Sequence, residues 1–394
     1  MHKPLTMKNI LSVLLIAATL GTTAQVSFVK TTDLNALLKQ AKQEHRLIFI
    51  DAYTDWCGWC KELDKQVFAT KEAGDAMAKN FIATKLEMEK DSIGIMLTRK
   101  FGTSAYPTAL ILDGDGNLVH WIEGYAPKEK YIGLIHEAAD PSNHVKERGY
   151  STRFDISYPS FYLEAIPMKG KRKMPDSVEV NRYVRQAKDL SAEVTWAVVK
   201  KFYFMLDAEQ YKRVLANEAA LRNTFGSKHV EAVAQRMIDQ KISQCTREKN
   251  FRCVEEHLAT LKRITGLSDE TRNLYIEHFY ETNRMWNELK AHVQKQLAQP
   301  EYINNHSHLN DLAWSLYEHC DNRDLLNMAT TWMQPVIAKE PVYMYLDTYA
   351  ALLHKTNRKE EAKKYALEAI ETGKKSGADV SETEKLLKKI EGKN

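Results

Sequence analysis

The chain is short of several things that would decide its class at once. Among 394 residues there are five cysteines, and only Cys57 and Cys60 stand three positions apart. Zinc sites built on Cys-x-x-Cys need four ligands, and Cys245, Cys253 and Cys320 supply no second pair at that spacing. Histidine is scattered: His306 and His308 have no cysteine or acid beside them at ligand spacing, so no metal is expected. Charge of one sign is missing too. The formal net charge is +4, and without Lys3 and Lys8 it falls to +2 (54 basic residues against 52 acidic). Such a balance argues against a nucleic-acid partner. Long apolar runs are absent apart from the eleven residues Ile10 to Leu20. A membrane-spanning helix needs about 20 apolar residues, so nothing after the N-terminal segment is expected to cross a bilayer.

What is present begins with that segment. Lys3 and Lys8 flank the start, Ile10 to Leu20 is apolar, and Thr22-Thr23-Ala24 offers small residues for cleavage before Gln25. This is the pattern of a secretory signal peptide, with Met7 an alternative start. Residues 1–24 are therefore expected to be removed after Ala24, leaving a soluble protein in the periplasm or outside the cell. The remaining length suits two or three domains. The pattern divides into an α/β region at 25–140, a linker at 141–180 and an α-helical region at 181–394.

The α/β region is organised around Phe49-Ile50-Asp51-Ala52-Tyr53-Thr54-Asp55-Trp56-Cys57-Gly58-Trp59-Cys60-Lys61. An apolar β-type run, Leu47 to Ala52, carries a lone acid at Asp51 and leads through a polar turn to two cysteines where a helix starts. At a helix N-terminus the unpaired N–H groups and the dipole favour an anion, so Cys57 is expected to ionise readily. Cys60, one turn on, is within reach to close a disulfide. A zinc-binding or purely structural pair is the alternative. Around it the pattern runs strand, helix, strand, helix, two strands and helix. Asp113-Gly114-Asp115-Gly116-Asn117 reads as a hairpin turn rather than a calcium loop. A central mixed sheet covered by helices follows.

These residues resemble the thioredoxin superfamily. Asp51, six residues before Cys57, stands where that family keeps a buried acid, and Trp56 matches the Trp preceding its first cysteine. Lys85, in Thr84-Lys85-Leu86, matches the lysine beside that acid; Tyr106-Pro107-Thr108 matches the cis-proline loop, and Gly124 a late glycine. Gly58-Trp59 departs from the Gly-Pro of thioredoxin. The longer stretch between Cys60 and Lys85 is closer to the C-terminal thioredoxin-like domains of the DsbD type. The resemblance implies that Cys57 is the nucleophile, Cys60 the resolving thiol, Asp51 the proton acceptor for Cys60, and Lys85 its tuning partner. It places Trp56, Trp59, Tyr106 and Pro107 at the surface that receives a partner chain. For Asp51 and Lys85 the alternative is an ion pair that only supports the sheet; for Pro107 it is an ordinary trans peptide. No cofactor is required.

In 141–180, Pro159, Pro167 and Pro175 disfavour a continuous helix, and Lys169-Gly170-Lys171-Arg172-Lys173 reads as a solvated loop. The aromatics Phe154, Tyr158, Phe161 and Tyr162 suggest that this linker packs on something. Beyond Val180 the pattern is helical: Ala187–Leu206, Ala208–Thr224, His229–Gln244, Phe251–Ile264, Asp269–Thr282 and Trp286–Ala298. Leu309, Leu312, Ala313 and Leu316 recur 37 positions later as Leu346, Tyr349, Ala350 and Leu353. The period is near that of tetratricopeptide repeats, and Ala350 to Ala362 resembles one; a plain helical bundle is the alternative. Two functions fit the whole. One is an envelope thiol–disulfide oxidoreductase whose helical region selects cysteine-containing envelope partners, with a membrane thiol donor as an electron source. The other is a holdase or scaffold in which the dithiol is auxiliary. For Cys245 and Cys253 a bridge needs the turn Thr246–Asn250, since one continuous helix would hold their Cα atoms about 12 Å apart at its rise per residue.

Overall fold

The computed structural model describes residues 25–103, 105–144 and 149–392. The expected signal peptide lies outside them. The described chain forms two compact units, the first ending at Val233 and the second beginning at Ala234.

The first unit opens with strand β1 (Phe28–Val29), helix α1 (Leu34–Glu44) and strand β2 (Leu47–Tyr53). Asp33 caps α1, its carboxylate accepting the N–H groups of Asn35 and Ala36. Helix α2 (Gly58–Leu63) continues into a π-helical turn, Asp64–Phe68. Then follow α3 (Lys71–Ala78), β3 (Phe81–Glu87), α4 (Ser92–Phe101), β4 (Thr108–Leu112), β5 (Leu118–Glu123) and α5 (Lys128–Ala139). The sheet order is β1-β3-β2-β4-β5, with β3 parallel to β1 and β2, and β4 antiparallel to β2 and β5.

This order explains the unbroken apolar run in β2. A central strand covered on both faces has no polar side, and Ile48 through Ala52 are all buried. One face packs Phe49, Phe81, Ala109 and Ile111 against Leu63, Val67 and Phe68 of the helix that follows the dithiol, with Tyr131 and Ile135 of α5. The register sets Asp51 beside Lys85 on one side and Ala109 on the other. Helix α4 lies so close to the end of β3 that a Cβ on Gly94 would fall 2.5 Å from the Glu87 carbonyl oxygen.

Past α5, the segment expected as a linker carries α6 (Ser160–Ala165) and the start of α7 (Ser177–Gln186) and belongs to the first unit. It packs on α4. Tyr162 is fully buried and its hydroxyl donates to the Arg99 carbonyl at 2.8 Å, while Arg99 Nε donates to the Ile166 carbonyl at 2.9 Å. Lys100 is 1% exposed, ion-paired to Glu193 and bonded to the Arg153 carbonyl at 2.8 Å. The helix expected over Ala187–Leu206 is shorter, α8 (Glu193–Phe202). Before it, Asp189 turns the chain by accepting the Ser191 N–H at 2.8 Å. The one expected over Ala208–Thr224 is two, α9 (Ala208–Ala216) and α10 (Glu218–Phe225). They divide at Asn217, whose side-chain amide donates back to the Arg213 carbonyl at 2.9 Å. Asparagine competes with the helix in this way.

Helix α11 (Ser227–Arg247) leads into α12 (Phe251–Thr265), α13 (Asp269–Thr282), α14 (Trp286–Gln296) and α15 (Pro300–Ile303). Then come α16 (His306–His319), α17 (Arg323–Lys339), α18 (Tyr343–Lys355), α19 (Lys359–Ser376) and α20 (Ser381–Ile390). No strand occurs among the described residues beyond Glu123. The recurrent Leu309, Leu312, Ala313 and Leu316 are buried on α16, and Leu346, Tyr349, Ala350 and Leu353 on α18. Ala362, Ala366 and Ala369 of α19 are also buried, small enough for the close approach of α18.

Candidate active site

The site is delivered by the C-terminal end of β2. Past Tyr53 the chain turns, the Cys57 N–H donating to the Thr54 carbonyl at 3.0 Å, and α2 begins. Cys57 itself is the cap: its backbone is extended and its Sγ accepts the Cys60 N–H at 3.0 Å. Cys57 and Cys60 are joined as a disulfide, with Cα atoms 5.4 Å apart. Both sulfurs are largely covered, yet the flanking Trp56 and Trp59 are 67% and 61% exposed. The two tryptophans therefore stand as a pair of exposed aromatic rings on either side of Cys57.

Each tryptophan is held. Trp56 Nε1 donates to Glu89 at 2.9 Å, and its ring meets that of Tyr106 edge-on at 6.0 Å. Trp59 lies over Tyr125 at 5.0 Å. Tyr106 precedes a cis peptide to Pro107, in the loop that enters β4. The Pro107 carbonyl accepts the Gly124 N–H at 2.9 Å, and Gly124 has a φ of 81°, a conformation that suits glycine. Burial pushes the Tyr106 phenol up to about 12.

Asp51 is 2% exposed in the strand that leads to the dithiol. Lys85 Nζ lies 3.1 Å from its Oδ2, and Oδ1 has no hydrogen-bond partner among the described residues. Desolvation raises the carboxyl to about 6, although Lys85 opposes the shift. Lys85 also pairs with Asp64, the first residue of the π-helical turn. Burial pulls the ammonium down, but the charges and hydrogen bonds of Asp51 and Asp64 more than offset this and hold it above the ordinary lysine value. The aromatic rings of Phe28 and Tyr53 lie 5.2 Å from its Nζ.

The structure thus brings Trp56, Cys57, Trp59, Cys60, Tyr106 and Pro107 to one end of the sheet and couples Asp51 to Lys85 in the strands leading there. The sequence reading missed Asp64, Glu89 and Tyr125. Asp64 had a signal, since it stands one helical turn after Cys60. Glu89 and Tyr125 had none, because their contacts join distant parts of the chain. Away from this site, His308 does meet an acid: Glu277 on α13 lies 3.0 Å from its Nε2 and accepts the Tyr302 hydroxyl at 2.7 Å. Cys245 and Cys253 are bridged, with Cα atoms 5.8 Å apart, because a turn rather than a continuous helix separates them.

A dithiol capping a helix beside a cis-proline loop, on a sheet of this order, defines a thioredoxin-like domain of the disulfide-oxidoreductase type. Residues 34–139 match the thioredoxin-like domain family. The chain is similar to the thiol:disulfide interchange protein DsbD of Escherichia coli K12, 31% identical over 121 residues, 30% of this chain and 20% of that protein. The DsbD of Shigella boydii serotype 4 gives the same figures. The chain spans about a fifth of the length of these relatives. Among solved structures, a proposed disulphide isomerase from Bacteroides thetaiotaomicron is 30% identical, covering 30% of this chain and 98% of that one, with a TM-score of 0.28. Among the described residues, no helix is long and apolar enough to cross a membrane.

Proposed function

We propose that this protein is an envelope thiol–disulfide oxidoreductase that exchanges disulfides with cysteine-containing protein partners. The observation that carries the reading is the position of Cys57 as the cap of α2, with its Sγ on the Cys60 N–H. That donor and the positive end of the helix favour the thiolate over the thiol. In the reduced protein the Cys57 thiolate attacks one sulfur of a partner disulfide. The partner's S–S bond breaks, a Cys57–partner bond forms, and the second partner sulfur leaves as a thiolate that takes a proton from water. Cys60, its proton passed to Asp51, then attacks Cys57 Sγ and closes the internal bridge, releasing the partner's first sulfur. Two electrons have moved to the partner. The reverse sequence donates a disulfide.

Asp51 suits the proton step because a carboxyl near 6 can both accept and return a proton close to neutral pH. Lys85, shared with Asp64, tunes it. Trp56, Trp59, Tyr106 and Pro107 receive the partner chain. Residues 1–24 act as a signal peptide cut after Ala24 and deliver a soluble protein to the periplasm or outside. Residues 25–140 carry the redox chemistry, 141–180 connect, and the tetratricopeptide-like helices of 181–394 select the partner. In the reducing direction a membrane thiol donor supplies the electrons, and no cofactor takes part.

The test is a covalent trap in cells. Cys60→Ser removes the resolving thiol and should accumulate reductant-sensitive adducts on Cys57, while Cys57→Ser should give none. A Cys60→Ser protein that captures no partner would overturn the reading in favour of a scaffold with an auxiliary dithiol.

A further inference from the structure

The second cysteine pair has a third member. Cys245 lies in the last turn of α11 and Cys253 in the first turn of α12, and His257, four residues on, shares a face with Cys253. The two Sγ atoms and an imidazole nitrogen of His257 all lie within 4.8 Å of one another. Among the described residues no other three histidine, cysteine or acidic side chains converge this closely. Cys245 is buried, whereas Cys253 and His257 are half-buried, so the group opens towards solvent on one side.

Bonds other than the sulfur–sulfur bond also hold the hairpin that brings them together. The Asn250 N–H donates to the Cys245 carbonyl at 2.9 Å, and the Lys249 N–H to the Thr246 carbonyl at 3.1 Å. Asn250 caps α12 by accepting the Cys253 N–H at 3.1 Å. From α13, the Asn283 side-chain amide donates to the Thr246 carbonyl at 3.0 Å, and Phe251 stacks on Tyr280 at 5.0 Å. Opening the bridge therefore leaves two thiols facing each other across a turn that other bonds hold shut.

We propose that Cys245, Cys253 and His257 form a thiol-gated site for a soft cation, Zn²⁺ or Cu⁺. Two thiolates and an imidazole are the donor set such ions prefer. Three protein ligands complete a trigonal site for Cu⁺ or leave one tetrahedral position of Zn²⁺ to water. In the bridged state both sulfurs are neutral and bonded to each other, poor donors without the thiolate charge, and the site is closed. A dithiol opens it: two electrons and two protons pass from the dithiol, which becomes a disulfide, to Cys245 and Cys253. Binding the cation then releases the two thiol protons.

The test uses the full chain with Cys57→Ser and Cys60→Ser, so that the first dithiol binds nothing. The protein is reduced with a phosphine, freed of it without oxygen, and titrated with Zn²⁺, and separately with Cu⁺, against a chromophoric chelator. The reduced protein should take up one equivalent of at least one ion, and the bridged protein none. His257→Ala, at a half-buried position, should weaken binding by about tenfold or more through loss of one ligand in three. Cys245→Ser should do the same or worse, with circular dichroism reporting whether the hairpin still folds. If Cys245→Ser does not fold, His257→Ala decides alone. No uptake by the reduced protein, or uptake unchanged in His257→Ala, overturns the proposal and leaves a disulfide that only staples the hairpin.

Discussion

Two disulfides in this chain sit at the start of a helix, and they are built differently. In the first, Cys57 is the cap, and its sulfur takes the helix N–H directly. In the second, Asn250 holds the cap, its side-chain oxygen taking the Cys253 N–H, so that sulfur is left without the helix-end donor. The strand leading to the first carries a desolvated carboxyl tied to a lysine, and exposed tryptophans stand beside it. A histidine stands beside the second. A cysteine pair alone therefore says little about chemistry. The group that occupies the cap, and the acid or base in reach, set the two pairs apart.

The comparison breaks most sharply at Asp51. Asp51→Asn should slow resolution of the Cys57 adduct about a hundredfold, the usual scale for losing a general base, and should remove an inflection near pH 6 from the rate profile. The same carboxyl should tell on stability. Its folded pKa, about 6, lies above the unfolded value, so the folded state holds the extra proton and stability falls as pH rises between about 4 and 6. Asp51→Asn should escape that loss and be the more stable protein above pH 6, by about 1–3 kcal/mol. Denaturant unfolding at pH 4 and pH 8 measures it; an unchanged difference between the two pH values would mean that Asp51 is not a strained acid.

A smaller effect is expected at the second pair, and of another kind. Cys245→Ser opens a bridge of sequence separation 8, which by loop closure costs about 2–3 kcal/mol of stability. Thiol–disulfide exchange with a small disulfide should be unaltered. Thermal unfolding alongside an exchange assay reads both, and a loss of exchange rate in Cys245→Ser would blur the distinction between the pairs.

Much of the first unit was legible because it is governed by local pattern. The unbroken apolar run of β2, the turn at Asp113–Asn117 and the cysteines at a helix start each carry their own signal. The Asp51–Lys85 pairing came from the family resemblance, and the parallel register of Leu47–Tyr53 with Phe81–Glu87 sets the two residues opposite each other. Asp64 was missed because the lysine it shares lies on a strand 21 positions on. The helical half was less legible. Periodicity identifies a helix but not its breaks: Asn217 divides one expected helix through a side-chain hydrogen bond that competes with the ladder, and Asp189 holds a turn ahead of α8. Glu277 on α13 reaches His308 on α16 across 31 positions, which no spacing in the sequence reveals.

The central claim rests on the charge state of one sulfur. In the reduced protein each cysteine's rate of alkylation can be followed against pH by peptide mass spectrometry. The geometry at the start of α2 predicts that Cys57 titrates well below the ordinary thiol value of about 8.5, while the buried Cys320, pushed up by desolvation, reacts only at higher pH. A Cys57 that titrates like an unperturbed thiol would contradict the account.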